Sequence, residues 1–200
     1  MLNADDALML LKEGNRRFVE HRMHHPNLDA DRRAEVAFRQ NPFAIVLGCS
    51  DSRVPAELVF DRGIGDLFVV RLAGNVAGKM GLASLEFAVE YLGVHLIVVL
   101  GHERCGAVQA ALDHMDKGTV YPGQLKELIN TIQPSVQGAE RGTPERRLAS
   151  ATKRNVARVV EELGQVPPVL ARYSGDGRLK IVGAYFTLET GEVEFLDPAS

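Results

Sequence analysis

Three short, predominantly apolar runs constrain the fold of this chain more than any other feature of its sequence. They occupy residues 43–48, 67–72 and 94–100, and the first reads Phe-Ala-Ile-Val-Leu-Gly without a polar residue. Such runs are typical of parallel strands that are covered on both faces. Residues 82–92 and 107–115, which follow the second and third runs, have helix-spaced apolar positions. Because strands alternate with helices, the sequence predicts an α/β fold with a central, mainly parallel sheet flanked by helices.

The rest of the chain predicts helices before the sheet and a strand pair after it. Residues 4–20 have apolar side chains near helical spacing, with acidic residues first and basic ones later, as the helix dipole favours. Residues 29–39 predict a second, short helix, and residues 145–163 a long one that ends before a Gly and a Pro. Residues 180–188 and 192–196 predict a closing strand pair.

The sequence contains no internal repeat and no convincing interdomain linker. A chain of 200 residues, of which 46% are hydrophobic, is long enough to bury a sizeable core. We therefore expect a single domain over residues 1–200, with a helical arm at residues 1–40 and an α/β core at residues 41–200.

Charge and hydropathy exclude several kinds of partner. The net charge of -3 gives no electrostatic basis for binding nucleic acid. No stretch approaches the roughly 18 consecutive apolar residues of a membrane helix. The amino-terminal residues lack the basic start and apolar run of a secretory signal, so we expect a cytoplasmic protein with reduced thiols.

Two polar turns follow the first and third apolar runs and contain both cysteines of the chain. Cys49 begins the first turn, and His102 and Cys105 lie in the second. Because the carboxyl ends of neighbouring parallel strands share one edge of a sheet, these three side chains can meet. Two Cys and one His with an open fourth position are typical of a catalytic zinc site. Burial of the thiols as small apolar side chains is the alternative that these residues leave open.

Asp51 and Arg53 lie two residues apart in the first turn. An Arg can hold a carboxylate with two hydrogen bonds and keep it ionised. Beside a zinc ion, such a carboxylate could accept the proton of a metal-bound hydroxide, or fill the fourth position and switch the site off. A pair that only stabilises the turn is an equally good interpretation of the local sequence.

Residues 49–55, Cys-Ser-Asp-Ser-Arg-Val-Pro, and residues 101–106, Gly-His-Glu-Arg-Cys-Gly, together resemble the paired signature of the β-carbonic anhydrases. The resemblance extends in order over roughly residues 4–196. It implies the β-carbonic anhydrase fold, with an amino-terminal helical arm and with homodimers or dimers of dimers as the assembly.

The resemblance also implies a site and an activity. One Zn²⁺ per chain is bound by Cys49, His102 and Cys105, while Asp51 and Arg53 form a catalytic dyad, with Asp51 as a fourth ligand in a closed state. The activity implied is the reversible hydration of carbon dioxide to bicarbonate and a proton, by attack of zinc-bound hydroxide. In that chemistry zinc lowers the pKa of water from about 15.7 toward 7.

Four further positions match substrate-binding residues of the family. Gln40 corresponds to a residue that contacts the substrate oxygen, although a surface amide is the alternative. Phe68, Ala73 and Phe87 correspond to residues of the apolar carbon dioxide pocket, although ordinary core packing is the alternative for them. Val46 stands where some relatives have the Trp of a second bicarbonate pocket, so we do not expect inhibition through such a pocket.

Two other functions compete with this one. Enzymes with the same zinc site can hydrolyse carbonyl sulfide or carbon disulfide, which are also linear electrophiles. A zinc-binding or bicarbonate-binding module without turnover is an alternative from another class. The His-x-Glu and Pro-Cys-x-x-Cys pattern of cytidine deaminases and the Gly-x-Gly-x-x-Gly pattern of dinucleotide-binding proteins are both absent.

Overall fold

The computed structural model describes residues 2–196, so Met1 and residues 197–200 of the expected domain lie outside the described residues. In this part of the chain five strands form one sheet, in the order β2-β1-β3-β4-β5. They are β1 (Ala44–Gly48), β2 (Leu67–Arg71), β3 (Leu96–His102), β4 (Lys180–Phe186) and β5 (Val193–Leu196). Strands β1 to β4 pair in parallel, and β5 is antiparallel to β4. The predicted central, mainly parallel sheet is confirmed.

Helices cover both faces of this sheet. Within the described residues they are α1 (Ala4–Val19), α2 (Ala30–Val36), α3 (Ala56–Val59), α4 (Lys79–Glu90), α5 (Gly106–Lys117), α6 (Leu125–Gln137), α7 (Pro144–Gln165) and α8 (Val169–Gly175). The sequence did not predict α3, α6 or α8. Helices α3 and α8 are too short for a periodic pattern, and α6 contains Pro134, which ordinarily argues against a helix. No helix among residues 2–196 is long and apolar enough to span a membrane.

Alternate side chains of the two central strands fill two apolar clusters, one on each face of the sheet. Ile45 and Ile97 pack with residues of α4, α7 and α8 on one face. Val46 and Val98 pack with residues of α1 and α3 on the other. Every residue of β1 and β3 is buried, as expected for central parallel strands.

A third apolar cluster lies beyond the carboxyl ends of β1 and β3. Val108 of α5 and Ile129 and Ile132 of α6 pack there around Cys49 and Cys105. Both cysteines are therefore enclosed by helices that follow the third strand, and α6, which the sequence did not predict, forms part of the wall.

Asn15 fixes the first helix to the end of the described chain. Its Nδ2 donates hydrogen bonds to the carbonyls of Val59, at 3.1 Å, and Gly191, at 2.8 Å. Its Oδ1 accepts a bond of 2.9 Å from the backbone N–H of Val193. All three bonds are buried, so this helix packs on the sheet of its own chain.

Two glycines let α7 approach the sheet closely. A Cβ atom added to Gly101 of β3 would lie 2.6 Å from Cγ2 of Val156, and one added to Gly183 of β4 would lie 2.8 Å from Cγ1 of the same side chain. Both separations are too short for carbon atoms. The Val156 side chain therefore occupies the space that the two missing Cβ atoms leave.

Replacing Gly183 with Ala should lower the free energy of unfolding by about 1–3 kcal/mol, because the new methyl group would overlap Val156 in a packed core. Urea denaturation would measure this change. Gly175→Ala is the matched control, since a Cβ there meets nothing within 4 Å. Equal stability of the two variants would contradict the close contact of α7 with the sheet.

Candidate metal centre

Three potential metal ligands converge beyond the carboxyl ends of β1 and β3. Cys49 directly follows β1, His102 is the last residue of β3, and Cys105 precedes the first turn of α5. Their ligand atoms, two thiol sulfurs and one imidazole nitrogen, all lie within 4.8 Å of one another. All three residues are buried, so the structure brings together the three side chains that the sequence singled out.

The hydrogen bonds of His102 leave one ring nitrogen free to bind a metal. Nδ1 lies 2.8 Å from the carbonyl oxygen of Glu103. Since a carbonyl only accepts, we assign the ring proton to Nδ1, and the lone pair to Nε2. Nε2 is fully buried and has no hydrogen-bond partner among residues 2–196. A buried nitrogen that lacks a partner and adjoins two thiols fits a metal ion, and a backbone carbonyl on the other ring nitrogen is typical of histidine ligands.

Cys49 and Cys105 favour a state in which Cys49 is ionised and Cys105 keeps its proton. A hydrogen bond from Cys105 lowers the pKa of Cys49 far below its usual value, and the N–H of Gly74 also donates to Cys49 Sγ, at 3.3 Å. The same bond to Cys49, together with burial, raises the pKa of Cys105. A divalent cation would replace the shared proton and ionise both thiols. Two thiolates and an imidazole are the donor set that Zn²⁺ favours.

Asp51 lies at the entrance to this group of ligands and is held by Arg53. Nε of Arg53 donates to Oδ1 at 2.9 Å, and its Nη2 donates to Oδ2 at 2.7 Å. These bonds hold the pKa of Asp51 well below its ordinary value, so the carboxylate is ionised at neutral pH. Its Oδ2 lies 3.8 Å from Nε2 of His102. The Asp51–Arg53 pair and the metal ligands therefore form one site.

Arg71, at the end of β2, holds the turn that carries Cys49 and Asp51. Its Nε donates to the carbonyl of Cys49 at 3.0 Å, and its Nη2 donates to the carbonyl of Asp51. Arg71 is not among the residues that the sequence predicted for this site. A charged residue at the carboxyl end of an otherwise apolar strand is the signal that could have indicated it.

Of the four expected substrate-binding residues, Ala73 precedes Gly74, whose N–H donates to Cys49 Sγ, in a short 3₁₀ turn. Phe68 is partly buried against the cluster that contains α4 and α7. Phe87 is 45% exposed, and its ring stacks on Tyr91 with centroids 5.4 Å apart.

Gln40 is exposed and lies between α2 and β1. It lines a surface cleft with Tyr91 and Leu92. The residues that line this cleft do not include the three metal-ligand candidates.

Comparisons with known proteins agree on one family. The family model described as carbonic anhydrase matches residues 44–193. Carbonic anhydrase 2 of Mycobacterium tuberculosis is 42% identical over 191 residues, which are 96% of this chain and 92% of the relative.

Solved structures of the family resemble the chain over most of its length. The Coccomyxa β-carbonic anhydrase in complex with acetazolamide has a TM-score of 0.75 at 25% identity, covering 92% of this chain and 83% of that one. A tetrameric β-carbonic anhydrase of Sordaria macrospora has the same TM-score at 22% identity, covering 96% and 97%.

Binding of Zn²⁺ at pH 7 should release about one proton or more, because Cys105, whose pKa is raised, must lose its proton to become a ligand. A group whose pKa lies above the working pH gives up its proton more easily as pH rises, so the apparent affinity for Zn²⁺ should also rise with pH. Titration calorimetry in buffers of different ionisation enthalpy counts the released protons. An affinity that is independent of pH would contradict the assignment of Cys105 as a ligand.

Proposed function

The chain belongs to the β-carbonic anhydrase family, and we propose that it catalyses the reversible hydration of carbon dioxide to bicarbonate and a proton with one zinc ion held by Cys49, His102 and Cys105. The observation that carries the zinc assignment is the buried, unpartnered Nε2 of His102 beside two thiols. Bound zinc would act as a Lewis acid that lowers the pKa of water from about 15.7 toward 7, so that hydroxide forms near neutral pH.

In this proposal Asp51 orients the nucleophile. An ionised carboxylate can only accept hydrogen bonds, so Asp51 favours an attacking oxygen that carries a hydrogen and turns its lone pair toward carbon dioxide. Arg53 binds both carboxylate oxygens and thereby fixes the position and the charge of Asp51. Arg71 supports the same geometry through the backbone of the turn.

A closed state, in which Asp51 serves as a fourth metal ligand, is part of the proposal. The carboxylate is already close, since its Oδ2 is 3.8 Å from Nε2 of His102. Closing requires Asp51 to leave Arg53, because both of its oxygens are engaged by the guanidinium. In the open state the carboxylate of Asp51 would therefore be bound by Arg53, and in the closed state by the zinc ion.

We assign the substrate pocket to Gln40, Phe68, Ala73 and Phe87 of a homodimer or a dimer of dimers. The exposed ring of Phe87, stacked on that of Tyr91, supports a second copy of the chain as the other wall of the pocket. The tetrameric relative of Sordaria macrospora also supports an oligomer. A cytoplasmic location fits the ligand set, because both thiols must stay reduced to bind the metal.

Stopped-flow measurement of carbon dioxide hydration with a pH indicator tests the function. The zinc-loaded protein should turn over near pH 8, and Cys49→Ser should lose both zinc and turnover, because a hydroxyl cannot replace a thiolate ligand. Ser50→Ala, at the exposed neighbouring position, is the matched control and should keep both. Stoichiometric zinc without hydration would favour a hydrolase of carbonyl sulfide or carbon disulfide, or a binding module without turnover.

Asp51→Asn should lower kcat/KM by about 10-fold to 100-fold while zinc stays stoichiometric, because it removes a charge beside the metal and leaves Cys49, His102 and Cys105 in place. Since the pKa of Asp51 is depressed, the carboxylate is already ionised above pH 6, and the loss should be uniform between pH 6 and 9. Steady-state rates across that range would measure it. A loss that vanishes at one end of the range would contradict the role of an ionised Asp51.

A further inference from the structure

A buried polar side chain on α7 is connected to the sulfur of Cys49 through one glycine. Asn155 is fully buried, and its Nδ2 donates a hydrogen bond of 2.8 Å to the carbonyl of Gly74. The N–H of the same glycine donates to Cys49 Sγ at 3.3 Å. Residues separated by more than a hundred positions are thus joined by two consecutive hydrogen bonds.

Gly74 holds its N–H toward the sulfur from an unusual backbone conformation. It has φ 67° and ψ 23°, and the next residue, Asn75, has φ 46°. Glycine adopts this conformation without steric cost, and Asn tolerates it better than most other residues. A side chain at Gly74 would also collide with Ile132, whose Cδ1 would lie 2.7 Å from its Cβ. The bond from Asn155 holds this turn in place.

Asn155 is itself oriented by a chain of donors that leads to the surface. Its Oδ1 accepts from Ser135 Oγ at 3.1 Å, and Ser135 Oγ accepts from Arg158 Nε at 2.8 Å. Arg158 is further held by the carbonyl of Thr131, at 2.6 Å, and by Glu162. Because every donor reaches Asn155 at its oxygen, the amide nitrogen must face Gly74.

The location of Asn155 requires a reason, because it lies on the apolar face of its helix. Its neighbours on that face include Ala151, Val156 and Val159, which are buried in the core. Burying an amide costs free energy unless both of its ends are hydrogen-bonded, and an apolar side chain would fill the space without that requirement. What Asn155 adds is the bond to Gly74, and through it the bond to the sulfur.

We propose that Asn155 is a positioning residue that tunes the Cys49 thiolate as a zinc ligand by holding the N–H of Gly74 against its sulfur; this inference rests on the proposed zinc site. A hydrogen bond to a thiolate withdraws electron density from sulfur and fixes its direction. Without it the sulfur is less well oriented, which weakens metal binding, and it donates more charge to the bound metal, which lowers the energy of sulfur-to-metal charge transfer. Loss of such an outer-shell contact typically weakens metal binding 10-fold to 100-fold.

Asn155→Ala tests this role, with Thr152→Ala as the matched control. Thr152 is also fully buried, one turn earlier on α7, but its hydroxyl bonds only to the carbonyl of Leu148 in its own helix. Both changes leave a small cavity under the same helix. Only the first should alter the metal site.

Two readouts on the purified protein separate positioning from loss of packing. Competition with a chromophoric chelator gives the zinc dissociation constant, which should rise about 10-fold to 100-fold in Asn155→Ala and less than twofold in Thr152→Ala. In the cobalt-substituted protein, the sulfur-to-cobalt charge-transfer band should move to longer wavelength in Asn155→Ala alone. An unchanged band and an unchanged zinc affinity in a folded Asn155→Ala would overturn the inference.

Ser135→Ala keeps the proposal testable if Asn155→Ala does not fold. It removes the shorter of two bonds to Oδ1 of Asn155, at 3.1 Å, and leaves the amide and the bond of 3.5 Å from Arg158 Nη2 in place, so both readouts should change in the same direction by a smaller amount. An affinity and a band identical to those of the unsubstituted protein would then overturn the inference. Failure of the unsubstituted protein to bind zinc or hydrate carbon dioxide would instead refute the proposed function.

Discussion

The structure depends on burying an imidazole and two thiols at the carboxyl ends of the two fully buried strands, β1 and β3. Polar atoms in such a place destabilise a fold unless they find partners. His102 satisfies one ring nitrogen with the carbonyl of Glu103 and leaves the other without a partner, between Cys49 and Cys105. The apolar side chains of α5 and α6 pack against the two cysteines. The packing of β1, β3 and α5 thus brings the three donors together, and their sulfur and nitrogen atoms suit a cation such as Zn²⁺.

The turn after β1 shows how one short segment serves both the fold and the chemistry. Its backbone carbonyls accept from Arg71, its carboxylate accepts from Arg53, and its sulfur accepts from Gly74. Each donor comes from a different place: the neighbouring edge strand, the turn itself and the loop that follows that strand. Arg71 fixes the backbone of both Cys49 and Asp51, whereas their side chains are held by different donors, Gly74 for the sulfur and Arg53 for the carboxylate. In the proposed closed state the carboxylate would therefore exchange its partner without loss of the bond to the sulfur.

Much of this arrangement could be predicted from the sequence, because the apolar runs of β1 and β3 end at turns with a distinctive pattern of Cys, His, Asp and Arg. Strands buried on both faces appear in the sequence as continuous apolar runs and can be predicted from them, and parallel pairing brings their carboxyl ends together. The contribution of Asn155 could not be predicted, since its partner Gly74 is 81 residues away and only the packing of α7 brings them into contact. The one indication in the sequence was an amide side chain among the apolar positions of α7, which suggests a buried hydrogen bond but not its partner. Helix α6 was missed for a local reason, because Pro134 lies within it.

Asn15 gives the chain a particular order of assembly. Asn15 is separated by 176 positions from Gly191 and by 178 positions from Val193, and it is hydrogen-bonded to both. Helix α1 and strand β5 therefore close the same side of the core. Contacts between such distant parts of a chain form late, because a long loop must first be closed. During synthesis on a ribosome, α1 is made long before Gly191 and Val193 and cannot complete its buried bonds until they have followed. Its apolar face, which includes Ala7 and Leu11, must therefore stay out of aggregates during that interval.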